Sequence, residues 1–258
     1  MKQLKFLTLL TAAFLFIVAG CKKDEGNPAG PGTTTPTQPA APTPTSYNGT
    51  TPANVMAIVR TSTQQTVPVL GTITVDANAA TAVFGNPGTD KGTVTVTVGA
   101  ANSQLGKLTT GGRVSYIFPD PANPTAVLTL GAGAQAAAFS VSGYTLTPNG
   151  TVTVPGQLTL TAPVVNASVP RNATLNVTWT VSGGAGARHA IFIADAQGHT
   201  LFKDGVANGS GSFSAAELAG FSAGTAWVYA LTYNFNLVNS NDAVIVGEAV
   251  AINQVTLQ

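Results

Sequence analysis

The chain has 258 residues, with 11 Lys+Arg, 10 Asp+Glu, 2 His and one Cys, and a formal net charge of +1. Only 8% of residues are charged, against roughly 25% in an ordinary soluble protein. This excludes a nucleic-acid binder that works through a clustered basic footprint, and the single Cys excludes a disulfide framework or a cysteine zinc site.

Lys2 and Lys5 open the sequence, and Phe6 to Val18 is apolar except for Thr8 and Thr11. The run is short for a bilayer span, which needs about 20 residues, and reads as the core of a secretory signal over 1–20. Small residues, Val18-Ala19-Gly20, lead directly into Cys21. This junction resembles the lipobox of bacterial lipoproteins. The resemblance implies cleavage before Cys21, a diacylglycerol on its thiol and an acyl chain on its new N-terminus. Apart from these covalent lipids no cofactor is expected. Lys23-Asp24-Glu25 follow at once. A Lys and two acids just past the anchor resemble the surface-export signal of Bacteroidota lipoproteins. That implies display on the outer face of the outer membrane; without export the protein would face the periplasm.

Residues 21–46 form the acylated Cys and a Pro/Thr-rich tether. From 26 onward the stretch carries no charge and too little apolar area to fold. At about 3.1 Å per residue in polyproline II it would reach roughly 60–80 Å.

From Tyr47 the pattern changes to short alternating runs: 55–60, 71–76, 93–98, 113–118, 126–130, 138–141 and 151–154. Val, Thr, Ile, Phe and Tyr at period two predict strands, separated by Gly, Pro and Asn turns. A first all-β domain is expected over 47–156 and a second over 157–258, both sandwich-like. In the second, strands are expected at 157–162, 174–181, 189–194, 199–203, 226–235 and 243–257, with 205–212 as a loop.

Leu175, Val177 and Trp179 alternate on one strand. Glu217, Leu218, Gly220, Phe221, Gly224, Thr225, Trp227 and Tyr229 form a second patterned block. Together they resemble the second strand and the corner before the sixth strand of fibronectin type III domains, over about 157–258. The resemblance implies a fibronectin type III/Ig-like sandwich and says little about function. Trp227 stands where the family has a Tyr, and Ala223 where it usually has Pro. The family's Arg-Gly-Asp adhesion tripeptide does not occur.

Chemistry is sparse. Gly131 to Ala136 fits G-x-G-x-x-A, but no helix of length follows and no acid stands about 20 residues on, so no nucleotide is expected. With a two-residue turn at Ala196-Gln197, His189 faces Asp204 and His199 faces Ala194. The imidazoles then lie about 17 Å apart, too far to share a metal. Neither Ser210 nor Ser212 sits in a G-x-S-x-G elbow. The acids fall singly in turns or at strand ends, without a visible dyad. No catalytic residue is assigned.

Trp227, Tyr229, Leu231, Tyr233 and Phe235 alternate, so all point to one face. Strands usually run 5–6 residues, so Tyr233, Phe235, Leu237 and Asn239 are expected to emerge into a candidate binding loop. The sequence thus predicts a non-catalytic, lipid-anchored surface protein. It would meet a protein or glycan partner in adhesion or envelope scaffolding; the alternatives are a glycan-capture module of a polysaccharide uptake system and a hydrolase.

Overall fold

Alternating Val, Thr and aromatic runs become strands almost wherever they occur. The computed structural model describes residues 52–67, 71–86 and 88–258; most of these are strand, the rest turns and irregular segments, with one short helix. The signal, Cys21, Lys23, Asp24, Glu25 and the tether lie outside the described residues. In chain order the strands are β1 (Asn54–Val67), β2 (Gly71–Phe84), β3 (Val94–Val98), β4 (Ala101–Gln104), β5 (Gly106–Thr110), β6 (Arg113–Phe118), β7 (Gln135–Val141) and β8 (Thr151–Val154). The chain continues through β9 (Leu158–Ala162), β10 (Ala167–Val169), β11 (Leu175–Val181), β12 (Arg188–Asp195), β13 (Thr200–Asp204), β14 (Ser210–Phe213), a one-turn helix α1 (Ala215–Leu218), β15 (Gly224–Val238) and β16 (Ala243–Leu257).

One large sheet runs β13-β12-β15-β16-β1-β2-β6-β5, with β10 added alongside β16. Two smaller sheets, β4-β3-β7-β8 and β14-β11-β9, lie against it. In the C-terminal half, β9, β11 and β14 therefore face β13, β12, β15 and β16. This two-layer arrangement is that of the fibronectin type III/Ig-like sandwich expected from the sequence.

The two halves share the large sheet. β1 lies parallel to β16, from Asn54 opposite Ala243 to Thr63 opposite Ile252. Side chains alternate along β16. Ala243 and Ile245 point into the core under the four-stranded sheet, with Val96, Phe139 and Val154. Ala249, Ala251, Val255 and Leu257 point the same way, into the core under the three-stranded sheet, with Val177 and Trp179. Gly247 sits where β8 crosses: a Cβ there would lie 2.7 Å from the Thr153 carbonyl oxygen and 2.9 Å from Val154 Cα. Near the same junction Arg60 is buried at 3% exposure. Its guanidinium donates to the carbonyls of Gly131 (2.6 Å) and Ala132 (3.0 Å). The small-residue turn that mimicked a nucleotide loop thus wraps an arginine.

Three strand expectations change. Ala126–Leu130 is irregular; it packs Leu128 into the core while its carbonyl accepts from Asn78. Residues 210–213, expected as loop, form β14, because Gly211 lets the strand approach Ile191 and Phe213 pairs with Leu175. β2 runs to Phe84 through an alanine-rich segment of weak strand propensity, since β1 and β6 flank it.

Trp179 is 3% exposed in the C-terminal core. Trp179→Ala is expected to destabilise the protein by about 3–5 kcal/mol in chemical denaturation. A loss under about 1 kcal/mol would put the ring outside the core.

Candidate binding surface

β15 continues through Val238 because β16 pairs with it along its whole length. β12 accompanies it as far as Tyr233, and β16 to its tip, where Val238 faces Ala243. The expected loop is therefore strand, and the reversal is confined to 239–242. Asn239, Ser240 and Asn241 take left-handed φ of 53°, 53° and 72°, a conformation Asn tolerates better than most residues.

The four expected site residues thus separate. Asn239 is used structurally at the tip: its Oδ1 accepts from Thr147 N–H (2.7 Å) and its Nδ2 donates to the Thr145 carbonyl (2.8 Å). Tyr233, Phe235 and Leu237 lie on the large-sheet face turned away from the small sheets, in a third hydrophobic cluster with Trp227, Tyr229 and Leu231. Tyr233 is 1% exposed. Its hydroxyl donates to Asp204 at 2.8 and 2.9 Å, and burial raises its phenol well above the usual range. Phe235 is half-buried beneath the Arg188 guanidinium, 5.2 Å from its ring centre, a cation–π distance. The Phe192 and Tyr229 rings lie 5.0 Å apart on the same face, tilted by 55°.

One residue there was not singled out from the sequence. Glu248, opposite Tyr233 in register, is 2% exposed, and its Oε1 has no hydrogen-bond partner. Burial alone pushes its carboxyl up to about 8. The available signal was a lone acid at the alternation position shared by Val244, Val246, Val250 and Ile252.

The other described acids serve local structure. Asp76, Asp90, Asp120, Asp195, Asp204, Glu217 and Asp242 all accept hydrogen bonds from neighbouring donors. Glu217 closes a capping box with Ser214 at α1 and pairs with Lys203 at 2.7 Å.

The histidine hairpin is one residue out of the expected register. Ala194 faces Thr200 and Ala190 faces Asp204, leaving a three-residue turn. Asp195 accounts for it. Its carboxylate accepts from the N–H groups of Gln197 (3.0 Å), His199 (2.9 Å) and Ser222 (2.7 Å), and Oδ2 lies 2.7 Å from His199 Nδ1. Burial raises its pKa, but these bonds outweigh it and the net shift is downward. His189 packs beside Trp179, 6.4 Å between rings, and burial lowers its pKa. Among the described residues no group of three or more His, Cys, Asp or Glu is placed to hold a metal ion, and no helix is long and apolar enough to cross a membrane.

No family model matches the chain, and no curated protein matches it. Among solved structures, it is similar to fibronectin(III)-like modules of Clostridium thermocellum CbhA. The identity is 17% and the TM-score 0.22, over 69% of this chain and 85% of that one. It is also similar to a Ca2+-stabilized adhesin with which an Antarctic bacterium binds ice. There the identity is 16% and the TM-score 0.24, over 77% of this chain and about half (49%) of that one.

Two measurements probe these contacts. Tyr233→Phe removes one hydroxyl bonded to a carboxylate and is expected to lower stability by about 1–2 kcal/mol in urea; no change would mean the bond contributes nothing. Burial disfavours the proton on His189 in the fold, whereas the unfolded chain takes it up below about pH 6.5. Its contribution to stability is therefore present above that pH and lost below it. His189→Gln should reduce the fall in urea midpoint between pH 7.5 and 5; an unchanged fall would contradict this.

Proposed function

We propose that the chain is a lipid-anchored, non-catalytic surface protein that holds a rigid β structure away from the outer membrane for binding or adhesion. One observation carries the non-catalytic reading: seven described acids are tied to local donors, and the eighth, Glu248, is buried in an apolar cluster. This leaves no pair poised as acid and base. The anchoring rests on the sequence, where the chain's only Cys follows an apolar run and three small residues. Several acyl chains, at about 0.8 kcal/mol per buried CH2, give lasting attachment where one would not. Lys23, Asp24 and Glu25 would direct export to the outer face.

A glycan-capture role would need rings open to a sugar. Tyr233 is buried and Phe235 lies under Arg188, so the geometry favours a protein partner.

Cells grown with labelled palmitate should incorporate it into the wild-type chain and not into Cys21→Ala. Protease added to intact cells should remove the β structure from the surface. Label retained in the variant would refute the anchor, and protection from protease would refute surface display.

A further inference from the structure

β1 and β2 extend past the rest of the large sheet. β1 leaves β16 after Thr63, and β10 takes its place from Val255. Gln64–Val67 therefore pair with β2 alone, and beside them Asn166 donates to Thr66 Oγ1 at 3.2 Å. On the other side β6 covers only Ala80–Ala82 of β2. It ends at Phe118, and Pro119 has no N–H with which to continue the ladder. The backbone edge of β2 from Gly71 to Ala79 is thus left without a partner among the described residues, and Gly71–Asp76 are all exposed.

An open edge is a template for another strand, and proteins blunt such edges with shortness, lysine or proline. The strands at the ends of the three sheets are four or five residues long, and β5 and β13 carry Lys107 and Lys203. The open stretch of β2, from 71 to 79, is longer and contains no Lys, Arg or Pro. Its one charge, Asp76, is turned to the small-sheet side, where it accepts from Ser62 and Gln157. On the opposite side Ile73 (38%) and Val75 (44%) are exposed. Among the described residues they are the two large exposed apolar side chains that share a strand.

The order of residues indicates the occupant. Ile73 and Val75 flank Thr74, and Thr72 and Asp76 flank those. A second copy can lie antiparallel along the edge, with a two-fold axis through Thr74 perpendicular to the sheet. That sets Ile73 opposite Val75 and Thr72 opposite Asp76. The first pair covers exposed apolar surface, and in the second a hydroxyl donates to a carboxylate. Gly71–Ala77 align in this way before β6 begins at Ala80. An axis through Val75 would instead run Gly71 of the second copy up to Ala79, against β6, and one through Ile73 would face Val75 with Gly71.

We infer that two copies of this chain associate by antiparallel pairing of their β2 edges over Gly71–Ala77, about a two-fold axis through Thr74. Such an interface is self-complementary, and main-chain hydrogen bonds supply its affinity as in other strand additions. The paired stretch is much shorter than the about 20–30 residues a side of a standard interface, so the dimer is weak and forms with rising concentration. The pairing does not depend on how the chain is anchored.

Disulfide trapping of the full chain, on intact cells and after purification, tests this. Residues directly opposed in an antiparallel pair have Cα atoms about 4.5–5.5 Å apart, within disulfide reach. Wild type gives the background from Cys21. Under mild oxidation Thr74→Cys should yield at least about fivefold more of a species of twice the chain mass than Val127→Cys, in a 76% exposed loop. On the Thr74→Cys chain, Ile73→Lys with Val75→Lys sets like charges opposite each other and should cut that yield at least about fivefold. Ile73→Lys with Val75→Glu sets opposite charges there and should keep it within about twofold. These positions are exposed, so the variants should keep the wild-type circular dichroism. Sedimentation of purified wild type should give a protein mass that rises with concentration toward two chains. Four results would each overturn the pairing: a Thr74→Cys yield no higher than that of Val127→Cys, equal losses in the two charge variants, Thr74→Cys joined to a different protein on cells, or a wild-type mass of one chain up to about 1 mM, where even a millimolar dimer would show.

Discussion

The pairing of β1 with β16 constrains everything else in this structure. It joins the first described strand to the last, in parallel, over ten residue pairs. β16 also pairs along its whole length with β15, so this one strand lies at the centre of the large sheet. On one face it must meet two smaller sheets placed end to end. On that face Gly247 sits where β8 crosses and a Cβ would not fit, Ala243 and Ile245 enter one core, and Ala249, Ala251, Val255 and Leu257 enter the other. The opposite alternation set, Val244, Val246, Val250 and Ile252, builds the third cluster.

Polar groups in this fold mainly hold turns and junctions. Asp195 collects three backbone N–H groups and an imidazole, and so sets the β12–β13 turn. Asn239 ties the β15–β16 tip to the loop before β8. Arg60 fills the junction between the small sheets by donating to carbonyls of a glycine-rich turn. Among the described residues most charged side chains have a structural task, and Glu248, buried with no partner for Oε1, stands out for that reason.

Much of the architecture was legible. Arg113–Phe118 and Ala243–Leu257 coincide with their runs, although β16 is buried on both faces; Thr151–Val154 coincides with its alternating run because one face is buried and period two records that. The inward set Leu175, Val177 and Trp179 was readable for the same reason. β4 was not, since its residues are mostly exposed and it exists as an edge partner of β3. The candidate loop failed for a non-local reason: Asn234 and Asn236 look like loop residues, but they donate to the Thr153 and Thr151 carbonyls of β8 while their backbone pairs with β16. The hairpin register was missed because a three-residue turn held by Asp195 looks, in sequence, much like a two-residue one. Sharing of one sheet by both halves was invisible, since parallel pairing of strands nearly 200 residues apart leaves no local pattern.

Native-state hydrogen exchange across β1 and β16 tests that shared sheet most directly. If their pairing ties the halves together, amides of Asn54–Thr63 and Ala243–Ile252 should open with the same free energy and the same denaturant dependence. Exchange of the β1 amides at distinctly lower free energy, with β16 still protected, would show instead that the two halves unfold independently.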